Sequence, residues 1–177
     1  LENELDFYDC KDPMGYISSL RDMTVKQNIE VPLFACAGQG DLFRATGGSE
    51  GVMPTCNFYP DDLDPQFEVK VKQYYDELQL QQAPLCVTET NRSHFLLRRL
   101  LSCGAKLLGP YLQTSGTNFG FTNAINSWGN VLAFLTSDYD FGGMISSAGE
   151  SRKEVCEGRL FSQLIQSLGS SLAKAIP

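Results

Sequence analysis

The stretch PLCVTETNRSHFLLRRLLSCGAKLLGPYLQ, residues 84–113, decides the fold. The apolar run Pro84–Thr90 predicts a strand, and Ser93 then predicts the start of a helix that ends at Gly104. A second apolar run, KLLGPYLQ, predicts another strand. Two short apolar runs joined by a capped helix are typical of parallel strands linked by a crossover helix.

The same alternation extends over the rest of the chain. Further strands are predicted in LENEL, VPLFACA and MPTCNFYP, and further helices at 12–28, 64–82 and 151–176. Asp12 and Asp64, each followed by Pro, are predicted to begin two of these helices. Because the strands are nearly continuous apolar runs, they predict an α/β fold in which helices cover a parallel sheet. A doubly wound open sheet and part of a (β/α)8 barrel both fit this pattern.

Polar residues at the strand ends favour the barrel. They follow one strand after another: Asn3 and Glu4, Gln39 and Asp41, Asn57 and Tyr59, Glu89 and Asn91, and residues 113–118. Barrel enzymes collect functional side chains from the carboxyl ends of several strands, whereas open sheets use a single crevice. The sequence therefore favours a partial barrel.

Composition excludes several classes of partner. The formal net charge of -7 argues against nucleic acid and anionic membranes as partners. No apolar run approaches the roughly 18 residues that span a bilayer. The six cysteines form no C-x-x-C pair and there is a single His, which argues against a metal site. Cys36, Cys56 and Cys86 lie in apolar runs and are predicted to be buried free thiols.

Two glycine-rich stretches carry no cofactor motif. GQG at 38–40 lacks the further glycine of the dinucleotide fingerprint, and ATGGSEG at 45–51 lacks the Lys-Ser/Thr of a P-loop. Both are predicted to be turns, and no cofactor is predicted.

Glu4 and Glu89 form the candidate catalytic pair. Each follows an apolar run, where an unpaired carboxylate is costly. Two carboxylates facing each other across a barrel mouth can act as acid/base and nucleophile in glycoside hydrolysis. The alternative is that both form structural ion pairs at the rim. Period-two alternation puts Glu2 on the same face as Glu4, and we interpret Glu2 as a deeper structural acid because Glu4 is nearer the strand end.

Five motifs resemble a known family. They are ENE at 2–4, PLFACAG at 32–38, SGTNFGF at 115–121, TSDYDF at 136–141 and SSAGE at 146–150. In this order, and over essentially the whole chain, they resemble family 35 of the glycoside hydrolases, the β-galactosidases. GTNFGF is quite specific, whereas Asn-Glu at a strand end is shared by many barrel glycosidases.

The resemblance implies an eight-stranded barrel of retaining enzymes. Glu4 would be the acid/base at the end of strand four, and Glu89 the nucleophile at the end of strand seven. Asn3 would bind the sugar 2-hydroxyl. Residues 1–177 would be a fragment of one catalytic domain, strands four to eight, without the N-terminal part of the barrel. The chain would then have a carbohydrate as substrate and that missing half as partner. A half barrel leaves edge strands unpaired, so the chain alone is expected to be inactive.

The resemblance also implies the residues that bind substrate. Asn118 lies in GTNFGF, and the sugar-contacting Tyr of the family motif YDYDAPL falls on Phe141, with Tyr139 as a substitute hydroxyl. Trp128, in the later loop, would supply an aromatic platform in place of the aromatic residue that the family has after its nucleophile. These departures leave two alternatives open: another retaining β-glycosidase, acting on glucosides or glucosaminides, or a carbohydrate-binding relic without turnover.

Overall fold

The protein has an α/β fold. The structure, a computed structural model, describes residues 1–38, 40–125, 134–135 and 137–176. Its main elements are β1 (Glu2–Asn3), α1 (Pro13–Lys26), β2 (Leu33–Ala37), α2 (Leu42–Thr46), β3 (Val52–Phe58), α3 (Phe67–Leu80), β4 (Cys86–Asn91), α4 (His94–Ser102), β5 (Leu107–Tyr111), β6 (Ala124–Ile125), β7 (Phe134–Leu135) and α5 (Glu154–Lys174). The predicted α/β class and the alternation of strands and helices are confirmed.

A five-stranded parallel sheet organises the chain. Its strands lie in the order β1-β2-β3-β4-β5, and every neighbouring pair is parallel. A doubly wound sheet reverses its strand order at a switch point. The described sheet contains no such reversal, and its sequential order is compatible with part of a (β/α) barrel. The strands β6 and β7 form a separate antiparallel pair.

Local capping explains where the helices begin. The side chain of Asp12 accepts a hydrogen bond from the Gly15 amide at 2.9 Å, and Pro13 follows as the first helical residue. Ser93 likewise accepts from the Leu96 amide, so both predicted caps are confirmed.

The predicted start of the second long helix at Asp64 is wrong. The carboxylate of Asp64 accepts from the Gln66 amide at 2.8 Å and pairs with Lys70 at 2.6 Å, which closes a turn ahead of the helix. The helix α3 therefore begins at Phe67. The short helix α2 was not predicted, because it follows a glycine-rich loop. Its N-cap is Asp41, whose side chain accepts a hydrogen bond from the Arg44 amide.

The two faces of the sheet differ in chemistry. One face packs against the helices through an apolar core that includes Ala37, Cys56 and Val87 from the strands and Phe67, Leu78, Leu96 and Leu100 from α3 and α4. A smaller cluster joins Ile17 of α1 to Ala35 and Val52. The opposite face carries Asn3, Cys36, Thr55, Asn57 and Thr88, which are linked by hydrogen bonds. The sheet thus has one apolar face, which the helices cover, and one polar face.

The cysteines behave as the sequence predicts. Cys36, Cys56 and Cys86 are buried, and all six thiols are free. Burial raises the pKa of the Cys56 thiol to about 12, with smaller contributions from Cys86 and Cys36. No helix in the described ranges has both the length and the apolar character needed to cross a membrane.

Two leucines of α3 provide a matched test of this packing. Leu78 is fully buried in the apolar core, whereas Leu80 is 87% exposed on the same helix. We expect Leu78→Ala to lower the free energy of unfolding by about 2–5 kcal/mol because it leaves a cavity. Leu80→Ala should change it by less than about 0.5 kcal/mol. Equal effects in urea unfolding would show that α3 does not pack on this face.

Candidate active site

The carboxyl ends of the parallel strands open into a cavity of about 720 Å³. Five of the predicted site residues line it: Asn3, Glu4, Glu89, Tyr139 and Phe141. They come from the first strand, the fourth strand and the loop before α5. The topology therefore brings together residues that are more than 130 positions apart in the sequence.

A left-handed backbone turns Glu4 toward the cavity. Glu4 has φ 60° and ψ 38°, which is uncommon for a residue other than glycine. Because strand alternation stops there, Asn3 and Glu4 both face the cavity, while the Glu2 carboxylate accepts a hydrogen bond from Tyr16 on α1. The prediction that Glu2 and Glu4 share a face is wrong for this reason.

Gly38 leaves room for the Glu4 side chain. A Cβ on Gly38 would overlap the ring of Phe7 and lie 2.6 Å from Cγ of Glu4. The Gly38 amide donates to the Asp6 carboxylate at 2.8 Å, which ties the end of β2 to the turn after β1. A larger residue at this position would displace the candidate acid/base.

A bulge in β4 turns Glu89 toward the same cavity. Cys56 pairs with Val87 but Asn57 pairs with Glu89, so Thr88 is an extra residue in β4. Thr88 and Glu89 consequently both face the polar side of the sheet. On β5, a Cβ at Gly109 would overlap the carbonyl oxygen of Thr88, so a glycine is needed beside the bulge.

The amide of Asn57 joins the two carboxylates. Asn57 is 3% exposed, and its Nδ2 lies 3.0 Å from Oε1 of Glu4 and 3.4 Å from Oε2 of Glu89. The same nitrogen donates to Oδ1 of Asn3 at 2.9 Å. The Thr88 hydroxyl lies 3.0 Å from Oδ1 of Asn57, and this contact fixes which end of the amide faces the acids.

Tyr59 is a second donor to Glu89. Its hydroxyl donates to Oε1 of Glu89 at 2.5 Å, while Oε2 of the same carboxylate has the longer contact with Asn57. Burial raises the pKa of Tyr59 well above its usual range, and the hydrogen bond to Glu89 and its charge add to the shift. The hydroxyl therefore stays protonated at neutral pH and keeps Glu89 in one orientation.

Three aromatic rings form one wall of the cavity. Tyr139 and Phe141 lie with their ring centroids 4.4 Å apart, and Tyr111 lies 5.6 Å from Phe141. Burial raises the pKa of Tyr111, as do the charge of Tyr139 and a hydrogen bond to it. The rings pack edge to face, with interplanar angles of 68° to 77°, so this wall presents both ring faces and ring edges.

Asp140, between the two loop aromatics, holds this wall in place. Its carboxylate accepts from the Gly142 amide at 2.8 Å and the Ser147 amide at 3.0 Å. It also pairs with the guanidinium of Arg152 at 2.7 Å, and this guanidinium donates to the Gly143 carbonyl. These bonds lower the pKa of Asp140 far below its usual range, with the Arg152 hydrogen bond as the largest cause.

Of the two other predicted substrate residues, the one that the structure describes is not brought to this cavity. Asn118 does not line it, because its side-chain amide donates to the Thr122 carbonyl at 2.8 Å within its own loop. Trp128 lies outside the described residues.

Sequence reasoning gave no role to Asn57, Tyr59 or Tyr111. Asn57 and Tyr59 did stand out as polar residues at the end of β3. Their position after an apolar strand was the signal that could have identified them.

The arrangement can support acid/base and nucleophilic chemistry without a metal. Two carboxylates face one cavity, and each has a protein donor that orients it. No cluster of three or more His, Cys, Asp or Glu side chains suited to a metal ion occurs within the described ranges.

Comparison with known proteins does not assign the chain to a family. No family model matches it, and neither a curated protein nor a solved structure matches it significantly. Its function must therefore be inferred from the geometry of the cavity and from the motifs.

The bulge in β4 can be tested at Gly109. We expect Gly109→Ala to lower the free energy of unfolding by about 1–3 kcal/mol, because the new methyl group overlaps the Thr88 carbonyl. Gly116→Ala is the control, since a Cβ there meets no atom within 4 Å. If urea unfolding gives the same stability for both variants, Gly109 is not required by the bulge.

The Asp140–Arg152 pair predicts a pH dependence. A carboxyl group whose pKa is lowered on folding stabilises the protein above its unfolded pKa of about 3.9, and this contribution is lost as the pH falls further. We expect Asp140→Asn to lower the urea midpoint at pH 7, and the difference from the wild type to shrink below pH 4.

An exposed pair supplies the control for this experiment. Asp76 pairs with Lys72 on the surface of α3, where an ion pair contributes little. Asp76→Asn should therefore barely change the urea midpoint at either pH. If the urea midpoint of Asp140→Asn differs from that of the wild type by the same amount at both pH values, the charge of Asp140 does not stabilise the protein.

Proposed function

We propose that this chain carries the catalytic pair of a retaining β-glycosidase, and that the enzyme is a β-galactosidase. The observation that carries the proposal is the Asn57 amide, which lies within hydrogen-bonding distance of both Glu4 and Glu89. The motifs that resemble family 35 supply the galactoside as substrate. The aromatic wall beside the pair supports a sugar ligand.

The spacing of the two acids supports retention of configuration. The Glu4 and Glu89 oxygens lie 3.0 Å and 3.4 Å from one nitrogen, so they are separated by no more than the sum of these distances. Retaining enzymes hold their carboxyl groups about 5–5.5 Å apart, whereas inverting enzymes need about 6.5–9.5 Å for a water molecule. This bound on the nearest oxygens is compatible with the retaining spacing and with direct attack by a carboxylate.

In the proposed mechanism, Glu89 attacks the anomeric carbon while Glu4 protonates the leaving oxygen. A covalent glycosyl-enzyme forms, and Glu4 then removes a proton from the water that hydrolyses it. Asn57 and Tyr59 keep the nucleophile oriented. The amide NH2 of Asn3 has no partner among the described residues and can donate to the sugar 2-hydroxyl.

We propose further that β1 to β5 are strands four to eight of a (β/α)8 barrel. The sequential parallel order supports this, and so do the outer edges of β1 and β5, which pair with no other described strand. The helix α5 has no buried residue and presents an exposed stripe of Leu160, Leu164, Ile165 and Leu168. Strands one to three with their helices would cover this stripe and close the sheet, so the chain alone is expected to be inactive.

The sugar specificity depends on the loop before α5. Phe141 has no hydroxyl to offer the sugar, whereas Tyr139 beside it does. Because of this difference, glucosides and glucosaminides are alternative substrates. Hydrolysis rates measured on a panel of aryl glycosides would show which sugar the enzyme prefers. A fluorinated glycoside labels a catalytic nucleophile covalently. If the protein binds these sugars but Glu89 is not labelled, it is a carbohydrate-binding protein without turnover.

Substitution of the acids tests the mechanism in the protein with the complete barrel. We expect Glu89→Gln to lower kcat by at least about 10³-fold, because the nucleophile is lost. Glu4→Gln should lower kcat about 10²–10⁴-fold for substrates with poor leaving groups. The loss should be smaller for an activated aryl leaving group, which needs no proton.

Glu2→Gln is the matched control, since Glu2 lies two positions from Glu4 and binds Tyr16 on α1. It should keep kcat within a few-fold of the wild type. If Glu89→Gln retains hydrolysis, or if Glu2→Gln abolishes it, the assignment of the pair is wrong.

A further inference from the structure

Arg92 is a half-buried cation without an acidic partner. It follows β4, three positions after Glu89, and lines the same cavity. It forms no ion pair or hydrogen bond with any described residue, and residues 39, 126–133, 136 and 177 include no Asp or Glu. Four carboxylates, those of Asp61, Asp62, Glu154 and Glu157, line a neighbouring cavity that Arg92 also borders, but none of them forms an ion pair with this guanidinium.

The other half-buried arginines differ from Arg92 in this respect. Each pairs with a carboxylate: Arg21 with Asp22, Arg44 with Asp9, Arg99 with Glu68 and Arg152 with Asp140. A guanidinium has five N–H donors and no acceptor, so partial burial without a partner leaves donors unsatisfied. Arg92 is the exception among the half-buried arginines, and it is the one that lines the cavity.

The loop before α5 makes room for Arg92. A Cβ on Gly142 would lie 2.9 Å from Nη2 of Arg92, so a glycine allows the guanidinium to approach the backbone. Gly142 has φ 72°, a conformation that favours glycine. The adjacent Phe141 lines the cavity beside Arg92. The guanidinium thus lies close to the backbone of the loop that carries the aromatic wall.

The acids of the cavity do not need Arg92. Glu89 has a donor in Tyr59, and Glu4 has a donor in Asn57. A neutral sugar needs no cation, whereas carboxylates and sulfates match the two-pronged geometry of a guanidinium. An anionic group near two carboxylates would be repelled unless a cation compensates for them.

We propose that Arg92 binds an anionic group, a carboxylate or a sulfate, on the glycoside that this cavity accepts. The inference rests on the proposed function and adds the substrate class: acidic glycosides are preferred over neutral ones. The anionic group is carried either by the sugar whose anomeric carbon reacts or by the leaving group. Both sources present the same chemistry to the guanidinium.

The test measures kcat/KM for three substrates in the protein with the complete barrel. They are a neutral nitrophenyl β-galactoside, its 6-sulfate, and a galactoside whose nitrophenyl leaving group carries a carboxylate. We expect Arg92→Gln to lower the ratio of acidic to neutral kcat/KM by at least about tenfold for one of the acidic substrates. The substrate whose ratio falls identifies where the anionic group is carried.

Two further variants separate a direct contact from a general charge effect. Arg92→Lys keeps the charge without the planar fork and should reduce the ratio less than Arg92→Gln. Arg98→Gln removes the same charge from an exposed position on α4 that does not line this cavity, and it should leave the ratio unchanged. In the wild type, added salt should reduce the preference for the acidic substrate.

Each outcome is decisive. A fall in the ratio for Arg92→Gln but not for Arg98→Gln supports the inference. If Arg92→Gln leaves the ratio of acidic to neutral kcat/KM unchanged for both acidic substrates, the inference is wrong. It is also wrong if the wild type hydrolyses only the neutral galactoside. In both cases the β-galactosidase proposal is unaffected. If the wild type hydrolyses no glycoside, the proposed function fails, and this inference fails with it.

Discussion

The candidate site depends on one side-chain amide. Nδ2 of Asn57, on β3, contacts Asn3 and Glu4 at the end of β1 and Glu89 on β4. In the sheet, β1 and β4 lie on opposite sides of the pair β2 and β3. Two carboxylates held close together repel each other, so their proximity requires a donor between them. A buried amide supplies that donor without adding charge. The Thr88 hydroxyl fixes the orientation of the amide, so the bulge in β4 and the donor belong to one arrangement.

Two backbone irregularities turn the acids toward that donor. Glu4 takes a left-handed conformation, and Glu89 follows the extra residue of a bulge. Both conformations differ from regular strand geometry. Gly38 leaves space for the Glu4 side chain, and Gly109 leaves space for the Thr88 carbonyl at the bulge. Strained or irregular backbone persists only where surrounding structure maintains it, and it is concentrated at functional sites. The regular parallel sheet supplies the rigid support for both.

These irregularities also mark the limit of prediction from the sequence. The alternation of strands and helices and the caps at Asp12 and Ser93 depend on local residues, and they were predicted. Glu4 and Glu89 were found because each follows an apolar run. The orientation of Glu2 was missed because alternation assumes an unbroken strand. The role of Asn57 was missed because it depends on pairing between strands, with Glu4 lying 53 positions away.

In the proposed mechanism, the reacting groups and the groups that select the substrate belong to different parts of the cavity. Glu4 and Glu89 belong to the strand ends, whereas Tyr139, Phe141 and Arg92 lie on loops. Side chains at the ends of packed strands are held more rigidly than those on loops. The Asp140–Arg152 pair gives the aromatic loop some of that rigidity. Changes in the loops can therefore alter the ligand that the cavity accepts while the two acids keep their geometry, because Asn57 contacts both of them from within the sheet.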